Sequence, residues 1–187
     1  MDDDDIGEST RSVHAGSSPE QLTGAKVEPI FQTATYVQRD FAEHTGYEYS
    51  RTQNPTREAL EAAMAELESP TELAQGIAFG SGMAAISTTL LTFLKSGDHF
   101  LAHESLYGGT HDLINKDFPD LGIECDFIDG CNPLSWEEKL RPETKLIYVE
   151  TITNPLLDVL DLNSVNAFAK KNNLLSLIDN TFASPMN

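Results

Sequence analysis

The sequence predicts an α/β protein in which a mostly parallel β-sheet is flanked by helices. From Asn54 onward, short apolar runs of strand length alternate with segments of helical periodicity, which is the pattern of a sheet covered on both faces. Glycine-rich or polar motifs follow several of the apolar runs. Because α/β proteins place ligand chemistry at the carboxyl ends of their strands, the same pattern predicts a binding site.

Residues 1–53 are predicted to form an extended arm. This stretch lacks periodicity and is rich in Gly, Ser, Thr and Pro, and its acidic start, Met1–Asp5, is expected to be disordered. The second region, residues 54–187, begins with a predicted helix over 55–68. Asn54 can cap this helix, and proline suits its first position.

The later elements alternate along the chain. Predicted strands cover residues 77–79, 99–102, 123–128, 145–149 and 174–178. Predicted helices cover residues 83–94, 109–118, 135–140 and 161–171. The last of these helices has Asp161 as its cap and two lysines in its final turn, which complement the negative end of the helix dipole.

Composition argues against several classes of function. The 187 residues carry a net charge of −18, which disfavours binding to nucleic acid and to anionic membrane surfaces. No apolar run is long enough to span a bilayer, and no basic region of a signal peptide is present. The two cysteines fit neither a disulfide framework nor a metal hook. The expected location is therefore the cytoplasm.

Residues 80–83, Gly-Ser-Gly-Met, lie between a predicted strand and a predicted helix. Glycines let a ligand approach the backbone closely, and the first turn of a helix offers free N–H groups to a phosphate. The motif is neither the dinucleotide fingerprint nor a P-loop, because the third glycine and the Gly-Lys-Ser/Thr sequence are missing. A tight turn before a buried helix would explain the same residues.

Three further motifs follow predicted strands. Tyr107 could stack on a flat ligand, and Glu150 with Asn154 brings a carboxylate and an amide to the same rim. Asp179 could keep a pyridine nitrogen protonated. Taken singly, Tyr107 is equally explained as a surface loop residue and Asp179 as a turn former. Together with the glycine motif, they supply the parts needed to hold pyridoxal 5′-phosphate.

The histidines do not predict a metal site. His99 and His103 flank a predicted strand, where their spacing does not place them on one helix face. His111 lies nearby in the sequence, but no acidic ligand pattern accompanies the three residues. We therefore expect no bound metal.

Five motifs occur in a fixed order along the chain: YSRTQNPTR at 49–57, SGMAA at 81–85, LYGGT at 106–110, ETITNP at 150–155 and DNTFASP at 179–185. They resemble the signatures of the Cys/Met-metabolism family of pyridoxal-phosphate enzymes. That family includes cystathionine γ-synthase, cystathionine γ-lyase, methionine γ-lyase and O-acetylhomoserine sulfhydrylase. The resemblance covers the chain from about Thr10 onward.

The resemblance implies the fold-type I architecture of aspartate aminotransferase, of which this sequence would be an incomplete large domain. It implies pyridoxal phosphate as cofactor, with Tyr107 as a catalytic residue that stacks on the ring. Tyr49 and Arg51 would reach the phosphate of a neighbouring subunit in a homotetramer. The complete set of implied cofactor-binding residues is Tyr49, Arg51, Ser81, Gly82, Met83, Tyr107, Asn154, Asp179 and Thr181.

The sequence departs from the family pattern in one respect. The family's Schiff-base lysine lies in a Ser-x-Thr-Lys stretch beyond the Asp-Asn-Thr motif, and the 187 residues contain neither that stretch nor the family's carboxylate-binding arginine. The resemblance therefore implies that residues 54–187 are the first part of a cofactor-binding domain, truncated before the lysine. It also implies that this chain is inactive by itself.

Three functions agree with these motifs. The first is γ-elimination or γ-replacement on a sulfur amino acid in an intact protein similar to cystathionine γ-synthase or γ-lyase, which residues 48–51 favour. The second is the reaction of a methionine γ-lyase or an O-acetylhomoserine sulfhydrylase. The third belongs to another class: a non-catalytic module that binds the cofactor or a homologous subunit.

Overall fold

A computed structural model describes residues 7–41, 43–69 and 74–185 of the chain. The described residues divide into two units, one that ends at Ala78 and one that comprises Phe79–Pro185. The disorder expected for the first five residues lies outside the described ranges. Within those ranges, no helix combines the length and apolar character that a membrane span requires.

In the described part of the first unit there are two helices, α1 (Glu8–His14) and α2 (Pro55–Glu68). Helix α2 confirms the predicted helix, and Asn54 Oδ1 accepts hydrogen bonds from the first-turn amides of Thr56 at 2.9 Å and Arg57 at 3.4 Å. Helix α1 was not predicted. It is seven residues long, too short to show an apolar period, and an acidic first turn with a basic last turn is its main helical signal.

The predicted strand over 77–79 is wrong, because the structure assigns no strand to these residues. The amide of Ala78 donates to Oε1 of Glu61 at 2.9 Å, so a side chain replaces the neighbouring strand as its acceptor. Ile77 is 75% exposed. An apolar triplet therefore misled the sequence prediction at a position that is neither buried nor paired.

The second unit is built on a four-stranded sheet. Its strands are β1 (His99–His103), β2 (Glu124–Ile128), β3 (Thr144–Glu150) and β4 (Leu175–Asp179), in the order β2-β1-β3-β4. All three neighbouring pairs are parallel. The predicted parallel α/β fold is thus confirmed, and the four strands lie within two residues of their predicted limits.

Both faces of this sheet are covered by apolar residues. On β1, Phe100 packs into one core cluster and Leu101 into another, and on β3 Tyr148 and Ile147 divide in the same way. Because both faces are buried, successive strand residues are apolar instead of alternating with polar ones. Helices α3 (Gly82–Phe93), α4 (Gly108–Asp112) and α5 (Leu162–Lys171) occur between or before the strands.

Two predicted helices differ in type from the observed structure. Residues 135–140 are not an α-helix, because two short 3₁₀ turns, Pro133–Ser135 and Glu137–Lys139, occupy this region. Their junction residue, Trp136, is fully buried and donates its indole N–H to the carbonyl of Asp129 at 2.7 Å, which fixes a compact turn. The predicted helix over 109–118 is α-helical only in α4 and continues as a π-turn.

Candidate active site

A cleft of about 430 Å³ lies where the carboxyl ends of β3 and β4 meet the amino end of α3. Its volume is in the range of about 300–1,000 Å³ that is typical of small-molecule sites. Seven of the nine residues that the resemblance implies for the cofactor line this one cleft, although they come from four separate segments of the chain: Ser81, Gly82, Met83, Tyr107, Asn154, Asp179 and Thr181.

The amino end of α3 presents backbone N–H groups to the cleft. Ser81 caps the helix, and its Oγ accepts the amide of Ala84 at 3.1 Å. Within the described part of the chain, the amides of Gly82 and Met83 have no recorded acceptor, as expected for the first residues of a helix. A Cβ added to Gly82 would meet nothing within 4 Å, so the space beside this residue is open.

Tyr107 contributes an aromatic ring to the wall of the cleft. Its side chain is 46% exposed, and its own amide donates to Oε1 of Glu150 at 2.7 Å. The ring passes so close to Gly109 that a Cβ at that position would lie 2.6 Å from Cε1 of Tyr107. A glycine at 109 is therefore what allows the ring to lie in its observed place.

Asp179 ends β4, and its carboxylate is held by three hydrogen-bond donors. Tyr148 Oη donates to Oδ2 at 3.1 Å, and both the amide and the hydroxyl of Thr181 donate to Oδ1. The neighbouring loop is tied back through Asn180, whose Oδ1 accepts the hydroxyl of Thr151 at 2.6 Å. Asp179 is thus a fixed acceptor at the edge of the cleft.

Glu150 is a cleft residue to which the sequence assigned no specific role. It is 4% exposed and accepts the amide of Tyr107 on Oε1 at 2.7 Å and that of Asn154 on Oε2 at 2.9 Å. Burial raises the pKa of Glu150 above its usual range, whereas the two amides act in the opposite direction. The sequence had placed Glu150 on the same rim as Asn154, at the start of the ETITNP motif, without predicting these two bonds.

Tyr49 and Arg51 belong to the first unit, whereas the residues that line the cleft belong to the second. The Arg51 guanidinium carbon lies 5.0 Å from the centre of the Tyr49 ring, which is a cation–π distance. The amides of Thr52 and Gln53 donate hydrogen bonds to the carbonyl of Tyr49 at 3.0 and 3.1 Å, so this segment is a turn.

The three histidines considered for a metal site have separate environments. His99 is buried, with Nδ1 2.8 Å from the Thr144 hydroxyl. Among the described residues, the group with metal-ligand geometry is instead His103, Asp129 and Cys131, whose ligand atoms lie within 4.8 Å of one another. Asp129 and Cys131 are exposed, and Asp129 Oδ1 accepts the Cys131 amide at 2.9 Å, as in an ordinary turn.

Comparison with known proteins identifies the family. The sequence model of the Cys/Met metabolism PLP-dependent enzymes matches residues 9–187. A probable cystathionine gamma-synthase of Herpetosiphon aurantiacus is 45% identical over 98% of this chain and 56% of the relative. Cystathionine gamma-lyase of Bacillus subtilis is 47% identical over 94% of this chain and 45% of the relative. The chain therefore belongs to the family of Cys/Met metabolism PLP-dependent enzymes.

Solved structures agree with this assignment. The crystal structure of cystathionine gamma-lyase from Lactobacillus plantarum complexed with L-serine matches with a TM-score of 0.89 and 40% sequence identity. The match covers 96% of this chain and 46% of that structure. The chain spans about half the length of the curated relatives it matches.

Proposed function

We propose that this chain forms part of the pyridoxal-phosphate site of a trans-sulfuration enzyme that acts on sulfur amino acids. The observation that carries the proposal is the single cleft in which a helix amino end, an aromatic ring, an amide and a fixed carboxylate converge. Relatives in this family, which include cystathionine gamma-synthase, gamma-lyase and beta-lyase, support the reaction class. The γ-synthase and γ-lyase reactions are the ones we favour for the intact protein.

The donor set of the cleft fits the cofactor chemically. The free amides of Gly82 and Met83 suit a phosphate, which a helix amino end also favours through its dipole. The exposed Tyr107 ring suits stacking against a pyridine ring. The Asp179 carboxylate suits a protonated ring nitrogen, and Asn154 would offer its amide to the ring substituents. Thr181 keeps Asp179 in position through hydrogen bonds from its amide and its hydroxyl.

Pyridoxal phosphate supplies an electron sink for a carbanion next to the amino group of a substrate. In our proposal, Asp179 sustains that property by holding the proton on the ring nitrogen. Tyr107 would stack on the pyridine ring of the bound cofactor and thereby exclude water from one face of that ring. The two free cysteines agree with a reducing compartment, and we propose the cytoplasm as the location.

The partner we propose is a second copy of the intact protein. Arg51 offers a planar, bidentate group that suits a phosphate, and it lies in an exposed turn beside Tyr49. In the intact enzyme these two residues would complete the phosphate site of a neighbouring subunit. Mixing Arg51→Ala subunits with Asp179→Ala subunits should restore activity in the hybrid, since one of its two sites then has both residues intact. A confirmed hybrid without activity would argue against a shared site.

Cofactor binding by the chain itself can be measured without interference from lysines. Pyridoxine 5′-phosphate lacks the aldehyde and so reports non-covalent binding alone. Calorimetric titration should show saturable 1:1 binding that is weakened by Asp179→Asn. The matched control is Asp161→Asn, because Asp161 caps α5 and is not among the residues that line the cleft. Absence of saturable binding to the unchanged chain would contradict the proposed cofactor site.

A non-catalytic module remains the alternative of another class. It would bind the same probe, because the cleft is the same, but the intact protein would not turn over cystathionine. Assay of the intact protein with cystathionine and with O-acetylhomoserine therefore separates the two classes.

A further inference from the structure

We infer that Glu150 is a positioning residue that sets the spacing between the ring-stacking side and the amide side of the cleft. The inference rests on the proposed function, because it concerns the residues assigned there to the cofactor. Glu150 lies at the carboxyl end of β3 and is nearly fully buried.

One carboxylate joins two loops that are distant in sequence. Oε1 accepts the amide of Tyr107, which lies 43 residues away in the loop after β1, at 2.7 Å. Oε2 accepts the amide of Asn154, four residues later in the chain, at 2.9 Å. Both oxygens are thus used, one on each loop, and the carboxylate fixes the distance between the two backbones.

The need for two acceptors makes the carboxylate chemically specific. A glutamine side chain has one oxygen and one NH₂ group, so one of the two amides would face a donor instead of an acceptor. A buried amide without an acceptor costs free energy, and the affected loop is expected to move away. An aspartate keeps the charge but is one methylene shorter, and it cannot reach both amides from the same backbone position.

The ring of Tyr107 is half exposed, and Gly109 beside it carries no side chain that could hold it. The bond to Glu150 fixes the backbone from which this ring projects. The backbone of Tyr107 therefore sets where the ring stands over the cleft. Two other ionisable side chains lie near Glu150: Asp179 on β4 and His103 on β1. Both form hydrogen bonds with other groups and not with the amides of Tyr107 and Asn154.

The first test does not require a ligand. In the uniformly ¹⁵N-labelled chain, the amides of Tyr107 and Asn154 should exchange slowly with solvent. Glu150→Gln should accelerate exchange at one or both of these amides by about tenfold or more, the scale of a lost hydrogen bond. The control Asp161→Asn should leave both unchanged. If both amides keep their protection in Glu150→Gln, the inference is overturned.

The second test measures the consequence for binding. Both Glu150→Gln and Glu150→Asp should weaken binding of pyridoxine 5′-phosphate by about tenfold and reduce the circular dichroism induced in the bound probe. Thermal unfolding shows whether each variant is folded. If Glu150→Gln does not fold, the binding test is made with Glu150→Asp. Unchanged affinity and dichroism in a folded variant would overturn the inference. A failure of the unchanged chain to bind would contradict only the proposed cofactor site, since amide exchange tests Glu150 separately.

Discussion

Tyr148 donates its hydroxyl to Oδ2 of Asp179 across the boundary between β3 and β4, at 3.1 Å. The tyrosine is 1% exposed, and burial raises its pKa above the ordinary value, with the charge of Asp179 adding to the shift. The hydroxyl therefore stays protonated and remains a donor throughout the neutral pH range. A residue of the core thus fixes the orientation of a carboxylate that lines the cleft.

Removing that donor should weaken the cleft without damaging the core. Tyr148→Phe keeps the buried ring and deletes one hydrogen bond to a charged group, which contributes about 1.5–3 kcal/mol. We expect about a tenfold lower affinity for pyridoxine 5′-phosphate in a variant that still unfolds cooperatively. The control is Tyr47→Phe, which deletes the bond from Tyr47 Oη to Glu58 at 2.6 Å in the first unit. Equal affinities of the two variants would contradict the role given to Tyr148.

Gly109 offers a sharper test of the ring position. In Gly109→Ala the new Cβ would lie 2.6 Å from Cε1 of Tyr107 and 3.1 Å from Sδ of Met83, so the ring must turn away. We expect several-fold weaker binding of pyridoxine 5′-phosphate, measured by calorimetry. Gly108→Ala is the matched control, because a Cβ at that position meets nothing within 4 Å.

The two glycine variants should differ in affinity but not in fold. Both positions are in α4, and replacing a helical glycine by alanine favours the helix by up to about 1 kcal/mol. Gly108→Ala should therefore bind normally and unfold at an equal or higher temperature. If Gly109→Ala also binds normally, the Tyr107 ring is not a limiting contact for the ligand.

The sheet could be predicted because its strands are short apolar runs buried on both faces. Phe100 and Leu101 show why, since they are adjacent and yet pack into opposite core clusters. The same reasoning failed at Ile77, where an apolar residue is exposed and the next amide bonds to a glutamate side chain. Apolar character alone does not distinguish these cases, because burial depends on which elements pack nearby.

The residues that line the cleft could be predicted from the sequence better than the hydrogen bonds between them. Tyr107, Asn154 and Asp179 each follow an apolar run, and the parallel sheet brings the ends of such runs to one edge. The bond from the amide of Tyr107 to Glu150 depends on the register of β1 against β3, which pairs Ala102 with Tyr148. That register is set by packing, and the residues next to Glu150 in the sequence do not predict it.

Asn54 is predicted to stabilise the first unit through both ends of its amide side chain. Its Oδ1 caps α2, and its Nδ2 donates to the carbonyl of Phe31 at 3.0 Å. Asn54→Ala should lower the free energy of unfolding by about 1–2 kcal/mol, the range for a lost cap. Asn54→Asp keeps the cap but sets a carboxylate oxygen against the carbonyl of Phe31, so its loss reports the second contact alone. Circular dichroism during urea unfolding measures both variants, and unchanged stability of Asn54→Ala would contradict the role of the cap.

His99 is expected to make stability depend on pH. Burial lowers the pKa of His99 from its ordinary 6.5, and the charge of Arg141 lowers it further, against opposing contributions from Asp126 and Glu124. The folded state therefore favours the neutral ring. As the pH falls through 6.5, the unfolded chain binds a proton that the folded chain does not, so stability is lost. Above that pH the ring is neutral in both states and the effect vanishes.

The variant His99→Gln should flatten this dependence. Glutamine retains a polar partner for the Thr144 hydroxyl, which lies 2.8 Å from Nδ1 of His99, but it does not titrate. Urea unfolding between about pH 7.5 and 5.5, followed by the fluorescence of Trp136, the single tryptophan, reports on the second unit. The unchanged chain and the exposed-site control His44→Gln should both lose stability over this range, and His99→Gln should lose less. Three parallel curves would mean that the burial of His99 costs the folded state nothing as the pH falls.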